Sequence, residues 1–163
     1  MAEKLTLQTE VEQLATDERF MKLALQQAEE ADEIDEVPVG AIVVSNGVVI
    51  ARGHNLCERL RDFTAHAEMQ VFTSATGFVG GKFLDECTLY VTLEPCPMCA
   101  AAISHARIAN LYYGASDIKS GGVNQGPCIF NHPQSHHKPE VYDGISETEC
   151  KKLLLDFFKQ KRY

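Results

Sequence analysis

The chain has 163 residues, 45% hydrophobic and 23% charged, a length and composition that fit one domain with a single core and exclude a disordered polymer. A formal charge of -8 argues against a nucleic-acid partner for the surface as a whole, yet residues 1–40 hold 11 of the 23 acidic side chains and 3 of the 15 basic ones, so the remainder is neutral. The apolar runs at 37–44 and 99–103 fall far short of the ~20 residues that span a bilayer, and the start lacks a charged stretch followed by an apolar one, so the reading is no membrane and a cytoplasmic location.

Residues 1–15 read as a variable lead-in. From Thr16 to about Ala31, Phe20, Leu23, Ala24, Gln27 and Ala28 keep helical spacing. Ala41–Val44 and Val48–Ala51 are β-branched runs around Ser45-Asn46-Gly47, where Asn-Gly predicts a tight type I′ hairpin. Thr64 is placed to cap a helix carrying His66, Glu68, Met69, Val71 and Phe72. Cys87–Leu93 reads as a buried strand, stopped by Pro95 and Pro97, which open a helix to about His105. Arg107–Tyr113 predicts another strand, ended by Gly114, and Lys138–Tyr142 a short last one. In the final helix Ser146 and Glu149 are spaced as a capping box, and Ile145 and Cys150 as a hydrophobic staple. Cys150, Leu153, Leu154, Phe157 and Phe158 form one stripe, read first as core. With no internal repeat, residues 1–163 predict a single α/β domain with a mixed sheet of four or five strands covered by helices on both faces.

His66-Ala67-Glu68 and Pro95-Cys96-Pro97-Met98-Cys99 each open a predicted helix. Two cysteines three apart on a first turn point the same way, and a helix N-terminus favours their thiolates. Thiolate and imidazole together select zinc, one per chain, with His66, Cys96 and Cys99 as ligands. Three ligands leave a position for water, and Glu68, about 200° around the helix from His66, is placed to serve as general acid and base. Taken alone, Cys-x-x-Cys could be a redox pair or half of a structural zinc site. His-x-Glu together with Pro-Cys-x-x-Cys is the known signature of zinc nucleobase deaminases, matched here rather than deduced. Cys57, Cys87, Cys128 and Cys150 read as packing thiols. Cys128, His132, His136 and His137 either form a second metal site or, on the favoured reading, a polar loop.

With these motifs the sequence resembles the cytidine deaminase superfamily, and within it the bacterial branch that acts on tRNA. The further landmarks are Glu36-Val37-Pro38-Val39-Gly40-Ala41, His54-Asn55, Tyr113-Gly114-Ala115-Ser116-Asp117 and Asp156-Phe157-Phe158-Lys159. The resemblance implies the three-layer α/β/α cytidine deaminase-like fold with a roughly five-stranded sheet. It also implies hydrolytic conversion of adenosine to inosine at wobble position 34 of a tRNA anticodon, arginine tRNA being the expected partner, by a homodimer. Glu68 would protonate N1 and then the leaving amine as activated water adds to C6. Asn55 would hydrogen-bond the purine, with Val39 and Ala67 lining its pocket. The Cys96 amide and the main chain at Glu94 would hold the incoming and departing groups, and Asp117 would contact the neighbouring sugar. Phe157, Lys159, Lys161 and Arg162 would lie along the anticodon loop. The alternative is a free-base or nucleoside enzyme such as guanine deaminase, with the same zinc and glutamate.

Overall fold

The structure, a computed structural model, describes residues 2–162. Helix α1 (Ala2–Glu33) is followed by β1 (Gly40–Ser45) and β2 (Val48–His54). A short helix α2 (Cys57–Leu60) leads to α3 (Ala67–Val79), β3 (Cys87–Leu93), α4 (Pro97–Ala106) and β4 (Asn110–Ala115). A 3-10 turn at Ile129–Asn131, β5 (Glu140–Tyr142) and α5 (Glu147–Lys161) complete the chain. No described helix is long and apolar enough to cross a membrane.

The five strands form one sheet in the order β2-β1-β3-β4-β5. β1 pairs antiparallel with both β2 and β3, whereas β3, β4 and β5 run parallel. Parallel neighbours need a crossover, and α4 supplies the one between β3 and β4. The period-2 alternation of the strands sorts the core into two layers. Ala41, Val43, Leu89, Val91, Leu111 and Tyr113 point to one face and pack under α3 and α4 through Val71, Phe72, Ala100 and Ile103. Ile42, Val44, Tyr90 and Tyr112 point to the other, where Phe20, Met21 and Ala24 of α1 and Cys150 of α5 cover them.

Asn46 and Gly47 make the two-residue hairpin with φ of 50° and 75°, the positive angles that a type I′ turn requires. Gly40 has a steric reason: a Cβ there would run into the Ala24 carbonyl and the Ala28 amide of α1. That close approach seats α1 on the first residue of β1, whose amide donates to Thr92 Oγ1 at 3.1 Å. The start of β1, the exit of β2 and the exit of β3 are thereby held at one end of the sheet.

The local readings need several corrections. α1 starts at Ala2 and not near Thr16. No proline or glycine interrupts residues 2–37, so propensity continues the helix, although Thr6 to Ala15 are all exposed. Thr64 does not cap α3: its amide and hydroxyl both donate to Asp62 Oδ1, and the residue at the N-cap is His66. Ser146 occupies the N-cap of α5 but adopts φ 52°, ψ 37°, outside the extended region that capping requires, and makes no side-chain cap bond. The capping box is therefore not formed, while Ile145 and Cys150 do share a core layer. β4 begins at Asn110 and passes through Gly114, because Arg107 takes the left-handed conformation (φ 60°) that ends α4. β5 is shorter than expected, and Phe158 is 46% exposed while Phe157 is buried.

Candidate active site

Two of the metal-type donors sit at helix starts. His66 is the N-cap of α3, Cys96 the N-cap of α4, and Cys99 lies one turn in. His66 Nδ1 lies 3.6 Å from Cys96 Sγ and 3.5 Å from Cys99 Sγ, and all three donor atoms fall within 4.8 Å of one another. Zn–S and Zn–N bonds of about 2.3 and 2.05 Å at a tetrahedral angle separate sulfur from nitrogen by about 3.6 Å, so the donor set and its spacing fit one zinc ion. No other group of metal-type donors converges among the described residues.

Protonation supports the same reading. The Cys96 thiol is pulled down to about 4, first by the hydrogen bond from Cys99 and then by His66. Cys99 is driven far up by the thiolate beside it and by burial. His66 is raised, chiefly by its bond to Cys96. Two thiols and an imidazole thus share protons around one thiolate, and a dication bound there would displace those protons. Glu68, 4% exposed, is pushed up to about 7 by burial.

A pocket of about 250 Å³ opens beside these groups. It lies slightly below the range of about 300–1,000 Å³ for drug-sized ligands, and so suits a flat base better than a whole nucleotide. His66, Cys96 and Glu68 line it together with Val39, Asn55, Ala67, Glu94 and Asp117, so these sequence-derived residues come together in one wall. Cys99 is fully buried behind it. Sequence reasoning missed Glu36, Val37, Cys57, Glu58, Leu93 and Ser120, which complete the lining. Cys57 is therefore a wall residue and not a packing thiol, and burial, with Glu36 and Asp62 nearby, holds that thiol up.

The Glu94 side chain has a task of its own, apart from the main-chain role expected at that residue. Its buried carboxylate accepts the amides of Asp117 (3.1 Å), Val123 (3.2 Å), Asn124 (3.0 Å) and Gln125 (3.0 Å), and so folds the 117–125 loop against the pocket. Asp117 stands half-buried at the rim, its Oδ1 accepting the amides of Lys119 and Ser120.

The C-terminal residues are divided. Phe157 and Lys161 line a separate groove of about 650 Å³ that shares Glu36, Val37 and Glu58 with the pocket. Phe157 is 6% exposed and packs edge-on against Phe158, so only an edge of the ring reaches the groove. Lys161 pairs with Asp35 and lies over the Phe157 ring. Lys159 and Arg162 are exposed and line neither cavity. Cys128, His132, His136 and His137 form the loop and not a second metal site: Cys128 Sγ bonds the Asn124 and Gly126 carbonyls, His132 Nδ1 accepts the Gln134 amide, and His137 Nε2 contacts the Ile108 carbonyl.

Fold and donor set together define a deaminase domain, and a family model described as MafB19-like deaminase matches residues 15–162. The tRNA-specific adenosine deaminase of Agrobacterium fabrum is 52% identical over 143 residues, 88% of this chain and 94% of that one. A solved structure from work on A-to-I editing by tRNA:A34 deaminases superposes with a TM-score of 0.82 at 52% identity, covering 83% of this chain and 99% of the other. The guanine deaminase of Bacillus subtilis superposes with a TM-score of 0.61 at 30% identity, covering 90% and 94%. The chain belongs to the tRNA-specific adenosine deaminase family.

Proposed function

We propose that the protein hydrolytically deaminates adenosine to inosine at the wobble position, residue 34, of a tRNA anticodon, with residues 1–163 acting as one deaminase domain. The observation that carries this reading is a pocket of base size lined by His66, Cys96 and a buried Glu68, with Cys99 completing the donor group, in a chain 52% identical to a tRNA-specific adenosine deaminase. His66, Cys96 and Cys99 would hold one zinc ion per chain, which supplies an activated water when bound. The Glu68 carboxyl, raised by burial in the metal-free protein, is placed beside the metal donors to carry protons. Glu68 takes a proton from the attacking water and delivers it to N1 of adenine as the water oxygen bonds C6, then passes the proton of the new C6 hydroxyl to the amine as the C6–N bond breaks, so that adenosine and water give inosine and ammonia and the carboxyl is restored. Asn55 hydrogen-bonds the purine, Val39 and Ala67 close over its faces, and Asp117 meets the adjoining sugar. The main chain at Cys96 and Glu94 holds the groups that arrive at and leave C6.

An anticodon loop is already partly unstacked, which lowers the few kcal/mol needed to extrude the base. Lys159, Lys161 and Arg162 at the end of α5 offer phosphate contacts near the groove that joins the pocket. The homodimer that the family resemblance implies would complete the RNA groove with the partner's copy of these residues. Arginine tRNA is the proposed substrate, and the cytoplasm the proposed location. The test is inosine at the wobble adenosine of an arginine tRNA transcript, run beside ammonia release from guanine, cytosine and adenosine. Inosine at that position alone is expected. Ammonia from a free base with the tRNA untouched overturns the substrate.

A further inference from the structure

The side chain in the pocket wall with the least obvious task is Glu36, which is 1% exposed and has no part in the proton transfers above. Its carboxylate meets three donors. Oε1 accepts the Arg59 amide at 2.6 Å, and Oε2 accepts the Glu58 amide at 3.2 Å and Asn55 Nδ2 at 3.3 Å. Among the described residues it enters no ion pair. Asn55 is fixed a second time through its backbone amide, which donates to the Val39 carbonyl at 3.0 Å.

A side-chain amide has a donor end and an acceptor end of nearly equal size, and in an open pocket either can face a guest. Glu36 removes that freedom. With Nδ2 committed to a carboxylate, turning the amide over would set two acceptors against each other and lose a hydrogen bond inside a buried wall. Asn55 Oδ1 and the second Nδ2 hydrogen are then the fixed pair left to meet a base. The two amide bonds from Glu58 and Arg59 also anchor α2, the element that brings Cys57 and Glu58 to the same wall.

We propose that Glu36 is a positioning residue for base recognition that acts through Asn55, setting which end of the Asn55 amide faces the purine. This role rests on the deaminase reading of the pocket. A cycle of four chains tests it: wild type, Glu36→Gln, Asn55→Ala and the double variant, each assayed for kcat and KM on an anticodon stem-loop, with metal content and urea midpoint measured alongside. Glu36→Gln raises KM about tenfold, the scale of one hydrogen bond to a charged acceptor, with kcat within about twofold of wild type and metal content unchanged. In the double variant the loss does not exceed that of Asn55→Ala alone. Independent, multiplying losses overturn the proposal, as does an unchanged KM in Glu36→Gln.

Should Glu36→Gln not fold, Glu36→Gln combined with Asn55→Asp exchanges amide and carboxylate across the same contact. A swapped pair that still fails to fold then overturns the proposal, whereas recovery of a cooperative urea transition is the expected result. A wild type that leaves the stem-loop untouched and releases ammonia from guanine or adenosine overturns the RNA reading alone, and the same cycle read on that base decides the role of Glu36.

Discussion

Replacing Glu68 by glutamine should make the metal-free protein more stable while abolishing turnover of the metal-loaded one. The carboxyl is buried at 4% exposure and held at about 7, against an ordinary value of 4.5. The sign follows from linkage. A carboxyl raised in the folded state is neutral in both states at low pH, and the folded form loses stability as pH rises through the interval between the two values. At 1.36 kcal/mol per pH unit that interval amounts to about 3 kcal/mol at pH 8 and under about 1 kcal/mol at pH 5. Glutamine keeps the shape without the charge, so Glu68→Gln recovers most of this. The assay is urea unfolding of both chains in chelator at pH 5 and pH 8. With a slope of about 1–3 kcal/mol per molar, the variant's midpoint should exceed wild type by more than about 1 M at pH 8 and by much less at pH 5. Midpoints that move in parallel with pH would refute the reasoning about burial, and undiminished turnover in the loaded variant would refute the proton-transfer role.

Other outcomes follow from single contacts. Gly40→Ala should cost more than about 3 kcal/mol by urea unfolding, because the new methyl meets the α1 backbone and not a movable side chain. Tyr90→Phe removes the donor to Asp17 Oδ1 (2.8 Å) and should cost about 1–3 kcal/mol, with turnover unchanged. Deleting residues 6–13 together with the residues before them should lower helical circular dichroism yet change stability by less than about 1 kcal/mol, since residues 6–15 are all exposed. Chelation should abolish turnover, and about one equivalent of zinc per chain should restore it; activity that survives complete removal of metal would contradict the site.

Much of this molecule was readable from local code. Asn46-Gly47 located the hairpin, the β-branched run set β3 at Cys87–Leu93, and Pro97 started α4, because each signal acts over a few residues. The His66, Cys96 and Cys99 cluster was readable because metal donors are rare residue types in a fixed spacing. What escaped depends on partners distant in sequence or on the backbone. Ser146 has the composition of a cap but a left-handed backbone, and nothing in residues 146–149 announces that. Glu36 and Glu94 fold two pocket walls by accepting main-chain amides, and an amide belongs to nearly every residue, so such an acceptor leaves no sequence pattern. Residues 6–15 of α1 are all exposed, and without burial only propensity marks them as helix.

The lining of the pocket has a further consequence. Glu36, Glu58, Glu68, Glu94 and Asp117 contribute to it, and no lysine or arginine does. Away from the metal donors a phosphate brought inside would meet carboxylates and no basic side chain, so the cavity sorts its guests by charge as well as by shape. It admits an uncharged heterocycle and leaves the polyanionic strand at the mouth, to be held by side chains outside. On that logic a free purine mononucleotide, whose phosphate has no strand to keep it at a distance, should compete poorly with a nucleoside embedded in a loop.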